Sequence, residues 1–125
     1  MQLVLIALGG AVGSVVRYLI GVWLSRPVDG FPVGTLVINV SGCFAIGVLV
    51  PLLKVWNVRE DVQLMLLIGV LGGYTTFSTF GRETLGLIEG QRLGLALGYV
   101  VLSNGLGILG VWIGSVGVRA IVGRG

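Results

Sequence analysis

The chain has 125 residues, enough for one domain; 55% are hydrophobic and only 10% charged, with a mean hydropathy of +1.06. Soluble globular domains carry about 25% charged residues, so this composition describes an integral membrane protein. The net charge of +3 comes from basic residues scattered singly, which argues against nucleic acid as a partner, and the absence of histidine excludes Ser-His and Cys-His catalytic pairs.

Residues 3–24 form the first apolar segment. It has no basic n-region, is too long for a signal-peptide core and lacks a clear small-residue cleavage site, so it reads as a retained transmembrane helix. Gly9 and Gly13 make a G-x-x-x-G pair that Gly21 extends, favouring close helix contact. Arg17 shares that face; about 10 Å from the segment's end, it either snorkels to the headgroups, makes a structural pair or stands at a pore mouth. Pro27, Asp29, Gly30 and Pro32 mark the first loop, residues 25–33. In the second span, residues 34–53, Thr35, Asn39 and Gly42 share one helical face, and Asn39 should meet protein or a water-accessible path, since lipid satisfies none of its hydrogen bonds. Cys43, the single cysteine, reads as a small buried hydrophobe. Pro51 falls in the last turn, where a kink or helix end is cheapest.

A charged loop, residues 54–61, leads to the third span, residues 62–89. A straight helix of that length would reach about 42 Å, beyond the roughly 30 Å of hydrocarbon. Two adjacent glycines followed by two threonines make Gly72 to Thr75 the expected place for a break near the membrane midplane. Backbone groups left unpaired there cost several kcal/mol each unless protein, water or an ion satisfies them. The plainer reading is a glycine-rich helix that packs closely on a neighbour. Gly90, Gln91 and Arg92 turn the chain into a fourth span, residues 93–118, with Ser103 and Asn104 at its polar centre. Twenty-three glycines, against about nine at average usage, imply helices approaching almost backbone to backbone.

Four spans put Lys54, Arg59, Arg119 and Arg124 on one side of the membrane and Arg26 and Arg92, with Arg17 and Arg82, on the other. The positive-inside rule gives little orienting signal for such a balance, so the chain is expected to insert both ways. With no internal repeat, inverted symmetry would require two copies.

Three stretches, Gly10 to Tyr18 (GAVGSVVRY), Gly34 to Phe44 (GTLVINVSGCF) and Gly72 to Phe80 (GGYTTFSTF), resemble the Fluc (CrcB) family of microbial fluoride channels, in matching order and separation across nearly the whole chain. The resemblance implies an all-α membrane protein of four transmembrane helices with a break in the third, assembled as an antiparallel dual-topology homodimer in the cell's inner membrane. It implies two fluoride pores and a structural sodium ion held at the dimer interface by main-chain carbonyls, here those of Gly72 and Thr75. Phe77 and Phe80 are similar to the family's pore phenylalanines, Asn39 to its pore asparagine, and Tyr99 and Ser103 to polar positions on its fourth helix. Where the family often has a serine one turn beyond Ser103, this chain has Gly107.

Fluoride is small and strongly hydrated, so a narrow pore must replace its water with hydroxyls, amide N–H groups or the positive edges of aromatic rings. Phe77 and Phe80 are three apart on one side of a helix, and Ser78 and Thr79 add hydroxyls; without the motif, such a pair of rings reads as packing. Sodium, a hard cation, suits carbonyl oxygens. The rival reading is a small dual-topology exporter of organic cations, which needs a membrane-embedded carboxylate. The first, second and fourth spans contain no Asp or Glu. Glu83 lies about 10 Å from the expected break, where it pairs with Arg17 or Arg82 or sits at a pore mouth. A non-transporting assembly subunit would explain the glycines but not a midplane break followed by donors.

Overall fold

With few side-chain donors and no water in a bilayer core, an apolar chain satisfies its backbone by forming helices. The computed structural model describes residues 1–24 and 30–123. In chain order it contains α1 (Gln2–Trp23), α2 (Val33–Val55), α3 (Glu60–Leu64), a π-helical stretch (Met65–Val70), α4 (Leu71–Tyr74), α5 (Phe77–Glu89) and α6 (Leu93–Val122). Among the described residues, four helical spans are long and apolar enough to cross a membrane: Gln2–Trp23, Val33–Val55, Glu60–Glu89 and Leu93–Val122. This is a multi-pass membrane protein.

Several boundaries differ from expectation. α2 continues through Pro51 to Val55, so the second loop shrinks to residues 56–59, and α6 runs on past residue 118 to Val122. Pro51 sits less than two turns from the C-terminal end, where one missing N–H is readily tolerated. In the third span, Gly72 and Gly73 are helical within α4, and the extended residues are Thr75 and Thr76. The π-helical stretch had no signal in the periodicity. Arg26, Pro27 and Asp29 of the expected first loop, and Arg124, lie outside the described residues.

Glycine decides how the helices pair. α1 lies against the π-helical stretch and α4, and a Cβ added at Gly9 would come within 2.6 Å of the Met65 carbonyl oxygen, one at Gly69 within 2.7 Å of the Ile6 carbonyl oxygen. Gly13 faces the Val70 carbonyl with no room for a methyl group. These are backbone-to-backbone approaches, as the G-x-x-x-G pair predicts. α2 and α6 pair similarly: Gly47 lies on the Val111 backbone, and a Cβ at Gly114 would reach within 2.7 Å of the Phe44 carbonyl oxygen. The short connection from α5 to α6 closes through Gln91, whose φ of 57° is left-handed, while Arg92 N–H donates to the Leu87 carbonyl at 2.8 Å. That tight turn returns α6 against α5, where Leu87, Ala96 and Tyr99 form a small core with Phe31, Leu36, Phe80 and Leu95 packed around it.

Candidate functional site

The two helix pairs meet where the third span leaves helical geometry. Thr75 has φ −81° and ψ 157°, and Thr76 has φ −148° and ψ 109°, both extended backbone open to any residue. An extended residue between helices loses its ladder bonds and needs other partners. Asn39 supplies both for Thr76: Thr76 N–H donates to Asn39 Oδ1 at 2.8 Å, and Asn39 Nδ2 donates to the Thr76 carbonyl at 3.1 Å. The carboxamide thus stands in for a neighbouring backbone. Thr76 also starts α5, its Oγ1 accepting from Thr79 N–H at 3.2 Å and donating to Thr79 Oγ1 at 2.9 Å. On the other side, Arg17 Nε donates to the Gly73 carbonyl at 3.1 Å. Arg17 therefore makes a structural pair with main chain. The polar face expected on α2 is directed at the third span: Thr35 donates to Glu83, Asn39 binds Thr76, and Gly42 faces Thr75 and Tyr74 without room for a Cβ; beside it, Ser41 Oγ lies 2.8 Å from Tyr74 Oη.

Beside Thr76 lies a cavity of about 260 Å³ lined by Asn39, Cys43, Thr75, Thr76, Phe77, Phe80, Ser103 and Asn104. One amide hydrogen of Asn39 is used by Thr76, which leaves the second for an occupant. Ser103 Oγ is buried and has no hydrogen-bond partner among the described residues, although buried hydroxyls are ordinarily satisfied. Phe77 remains 81% exposed, a large ring that neither α2 nor α6 covers. Of the residues singled out in the sequence, Asn39, Phe77, Phe80 and Ser103 line this cavity together; Ser78, Thr79 and Tyr99 are outside its lining.

Tyr99 belongs to the next layer. Its side chain is fully buried, with its ring centroid 5.1 Å from that of Phe80 and 5.5 Å from that of Phe31, while Phe80 is 5.5 Å from Phe77. A line of four rings thus runs from the Asn39 cavity to a second cavity of about 420 Å³, which Phe31, Thr35, Ile38 and Glu83 help line. Both cavities follow the same helices, one turn apart from Asn39 to Thr35 on α2 and from Phe80 to Glu83 on α5. Glu83 lies between hydroxyls: Thr35 Oγ1 donates to Oε1 at 2.9 Å and Tyr99 Oη to Oε2 at 2.7 Å. Of the alternatives for Glu83, pairing with Arg17 or Arg82 or a place at a pore mouth, the pairing with Arg17 is not formed: both Glu83 oxygens accept from neutral donors and Arg17 reaches main chain instead.

Gly107 packs against Cys43. A Cβ there would lie 3.3 Å from Cys43 Sγ, so a side chain at this position on α6 would require the thiol on α2 to give by a few tenths of an ångström. Cys43 is half-buried and borders the cavity. Sequence reasoning did not single out Thr76, the pivot of the arrangement; a threonine three residues before Thr79 is a recognisable helix-capping signal, but its link to Asn39 spans 37 positions and has no local signature.

A family model described as CrcB-like protein, Camphor Resistance (CrcB), matches residues 4–115. The chain belongs to the CrcB family. It is 43% identical over 123 residues to the fluoride-specific ion channel FluC of Rhizobium meliloti (strain 1021), covering 97% of this chain and 98% of that protein. Proteins of the same description from Rhizobium etli (strain ATCC 51251) and Hydrogenobaculum sp. (strain Y04AAS1) are 42% identical over 125 residues and 43% identical over 115 residues, covering 98% and 91% of this chain and 99% and 94% of theirs. The matched stretches cover almost the full length of this CrcB-family chain.

Proposed function

We propose that this protein is a passive, fluoride-selective channel that lets fluoride leave the cytoplasm. The observation that carries the reading is the Asn39 cavity, which presents a spare amide hydrogen, an unpartnered Ser103 hydroxyl and two phenylalanine rings in a family whose relatives are named fluoride-specific channels. Donors and ring edges suit a small anion stripped of water; no carboxylate lines the Asn39 cavity, and both oxygens of Glu83, beside the second cavity, already accept from Thr35 and Tyr99. Fluoride would pass from the cavity beside Thr35 and Glu83, along the Phe80 and Tyr99 edges, to Asn39 and Ser103. Ser78 and Thr79, in the first turn of α5, would add hydroxyls where a partner subunit completes the wall. Organic-cation export finds no support in these relatives.

The working form we infer is an antiparallel homodimer, with the interruption at Thr75 and Thr76 as the midplane break of the third span. Phe77, left bare by its own chain, would be covered by the partner. A structural sodium ion would sit between the two interruptions, on the two-fold axis of that dimer. In an uninterrupted helix Thr76 N–H would pair with the Gly72 carbonyl and Thr79 N–H with that of Thr75. Here those two amides donate to Asn39 Oδ1 and Thr76 Oγ1, so both carbonyls lose their helical donors. A Cβ at Gly72 would meet nothing within 4 Å, which leaves that side open to a second copy. Two carbonyls from each of two chains would give a hard cation four oxygen ligands. Purified protein in fluoride-loaded liposomes should release fluoride while retaining chloride; chloride release at a comparable rate, or no fluoride release, would reject the function. Reporters fused at the C-terminus should appear on both sides of the membrane, and finding them on one side only would reject the antiparallel assembly.

A further inference from the structure

The C-terminal ends of α2 and α6 lie side by side and enclose a groove of about 480 Å³ distinct from both cavities described above. Its walls are Ile46, Val50, Val55 and Val111, with Ser115 among them, and Lys54 and Arg119 also line it. Those two residues occupy the last turns of their helices, so their charges sit at headgroup depth when the spans are embedded. Among the described residues neither side chain has an ion-pair or hydrogen-bond partner. We propose that this groove binds one anionic phospholipid, with its phosphate between Lys54 and Arg119 and one acyl chain along Ile46, Val50 and Val111.

Charge complementarity identifies the occupant. An apolar groove within a bilayer fills with hydrocarbon, and two uncompensated cations lining it in the last turns of its helices favour a phosphate that carries net negative charge over a zwitterionic headgroup. Ser115 lies one turn below Arg119, about 6 Å nearer the membrane centre, at the depth of the lipid's ester carbonyls, where its hydroxyl can donate. Basic residues in a last turn also complement the helix dipole, but that role alone would select no lipid.

Native mass spectrometry of the purified full-length protein with equal amounts of phosphatidylglycerol and phosphatidylcholine of matched chains tests this directly. Bound phosphatidylglycerol should exceed phosphatidylcholine by about tenfold or more, since both cations attract an anionic headgroup. Replacing both residues, Lys54→Ala with Arg119→Ala, should abolish the preference, while Lys54→Arg should retain it. Excess inorganic phosphate should leave the lipid in place. Equal binding of the two lipids by the unmodified protein would overturn the proposal, whether because a second copy covers the groove or because the cations only cap their helices. Preference surviving in the double variant, or displacement by inorganic phosphate, would overturn it equally. The comparison on unmodified protein decides the matter even if the double variant fails to fold.

Discussion

The contact of α1 with the third span and the space between α2, α5 and α6 are built by opposite means within one bundle. At the first, Gly9, Gly13, Gly69 and Gly73 bring main chain against main chain so closely that a single methyl group would clash. At the second, Asn39, Ser103 and the rings of Phe77 and Phe80 hold the helices apart around a cavity. Removing side chains seals a membrane interface; keeping short polar ones and large rings leaves an opening that must be satisfied by something other than lipid. The sealed side fixes Gly73 and, through Arg17, the end of α4, so that the open side can carry an extended Thr76 without collapsing.

The sharpest way to break this comparison is to put volume into the sealed side. Gly9→Val should abolish recovery of folded protein, because its Cβ alone would press on the Met65 carbonyl at 2.6 Å and backbone cannot rotate away. Gel filtration of the detergent-extracted protein checks this, and a normal elution profile would show that the contact is looser than described. On the open side, Phe80→Ile should lower fluoride flux by at least about tenfold while the assembly persists, since an aliphatic side chain fills similar space but offers no ring edge. Unchanged flux would return Phe80 to packing.

Asn39→Asp joins the two effects. The carboxylate can still accept from Thr76 N–H, but it sets an acceptor against the Thr76 carbonyl and removes the spare amide hydrogen. Flux should be lost and thermal stability reduced, by about 1–3 kcal/mol for the unsatisfied carbonyl; normal flux would place Asn39 off the pathway. The smallest effect sharpens the contrast most. Ser103→Ala removes a hydroxyl with no partner, so stability should hold or rise slightly while flux falls a few-fold. A loss of stability without a change in flux would make Ser103 structural.

Much of this was legible before the structure. Composition gave the membrane class, hydropathy the four spans, and the motifs the CrcB family, because a bilayer imposes strong rules on length and polarity. The Gly9 and Gly13 pair was legible for the same reason, since spacing alone places both on one face. What stayed hidden were partnerships set by tertiary packing. Nothing local says that Asn39 binds both backbone groups of Thr76, or that Glu83 takes hydroxyls from Thr35 and Tyr99 in place of an arginine. The π-helical stretch at Met65–Val70 was equally silent, as it accompanies the Gly69 contact with α1 and leaves no mark on periodicity.

Passive and selective passage of fluoride through the open side is the central claim, and the reversal potential of currents across a bilayer containing the purified protein tests it most directly. With a tenfold fluoride gradient and symmetrical chloride, the account predicts a reversal potential near the fluoride equilibrium value, about 59 mV for a singly charged ion. A superimposed pH gradient should leave that potential where it is, since no carboxylate lines the Asn39 cavity and both oxygens of Glu83, beside the second cavity, are held by Thr35 and Tyr99. A potential that follows the proton gradient, or that stays near zero under the fluoride gradient, would contradict it.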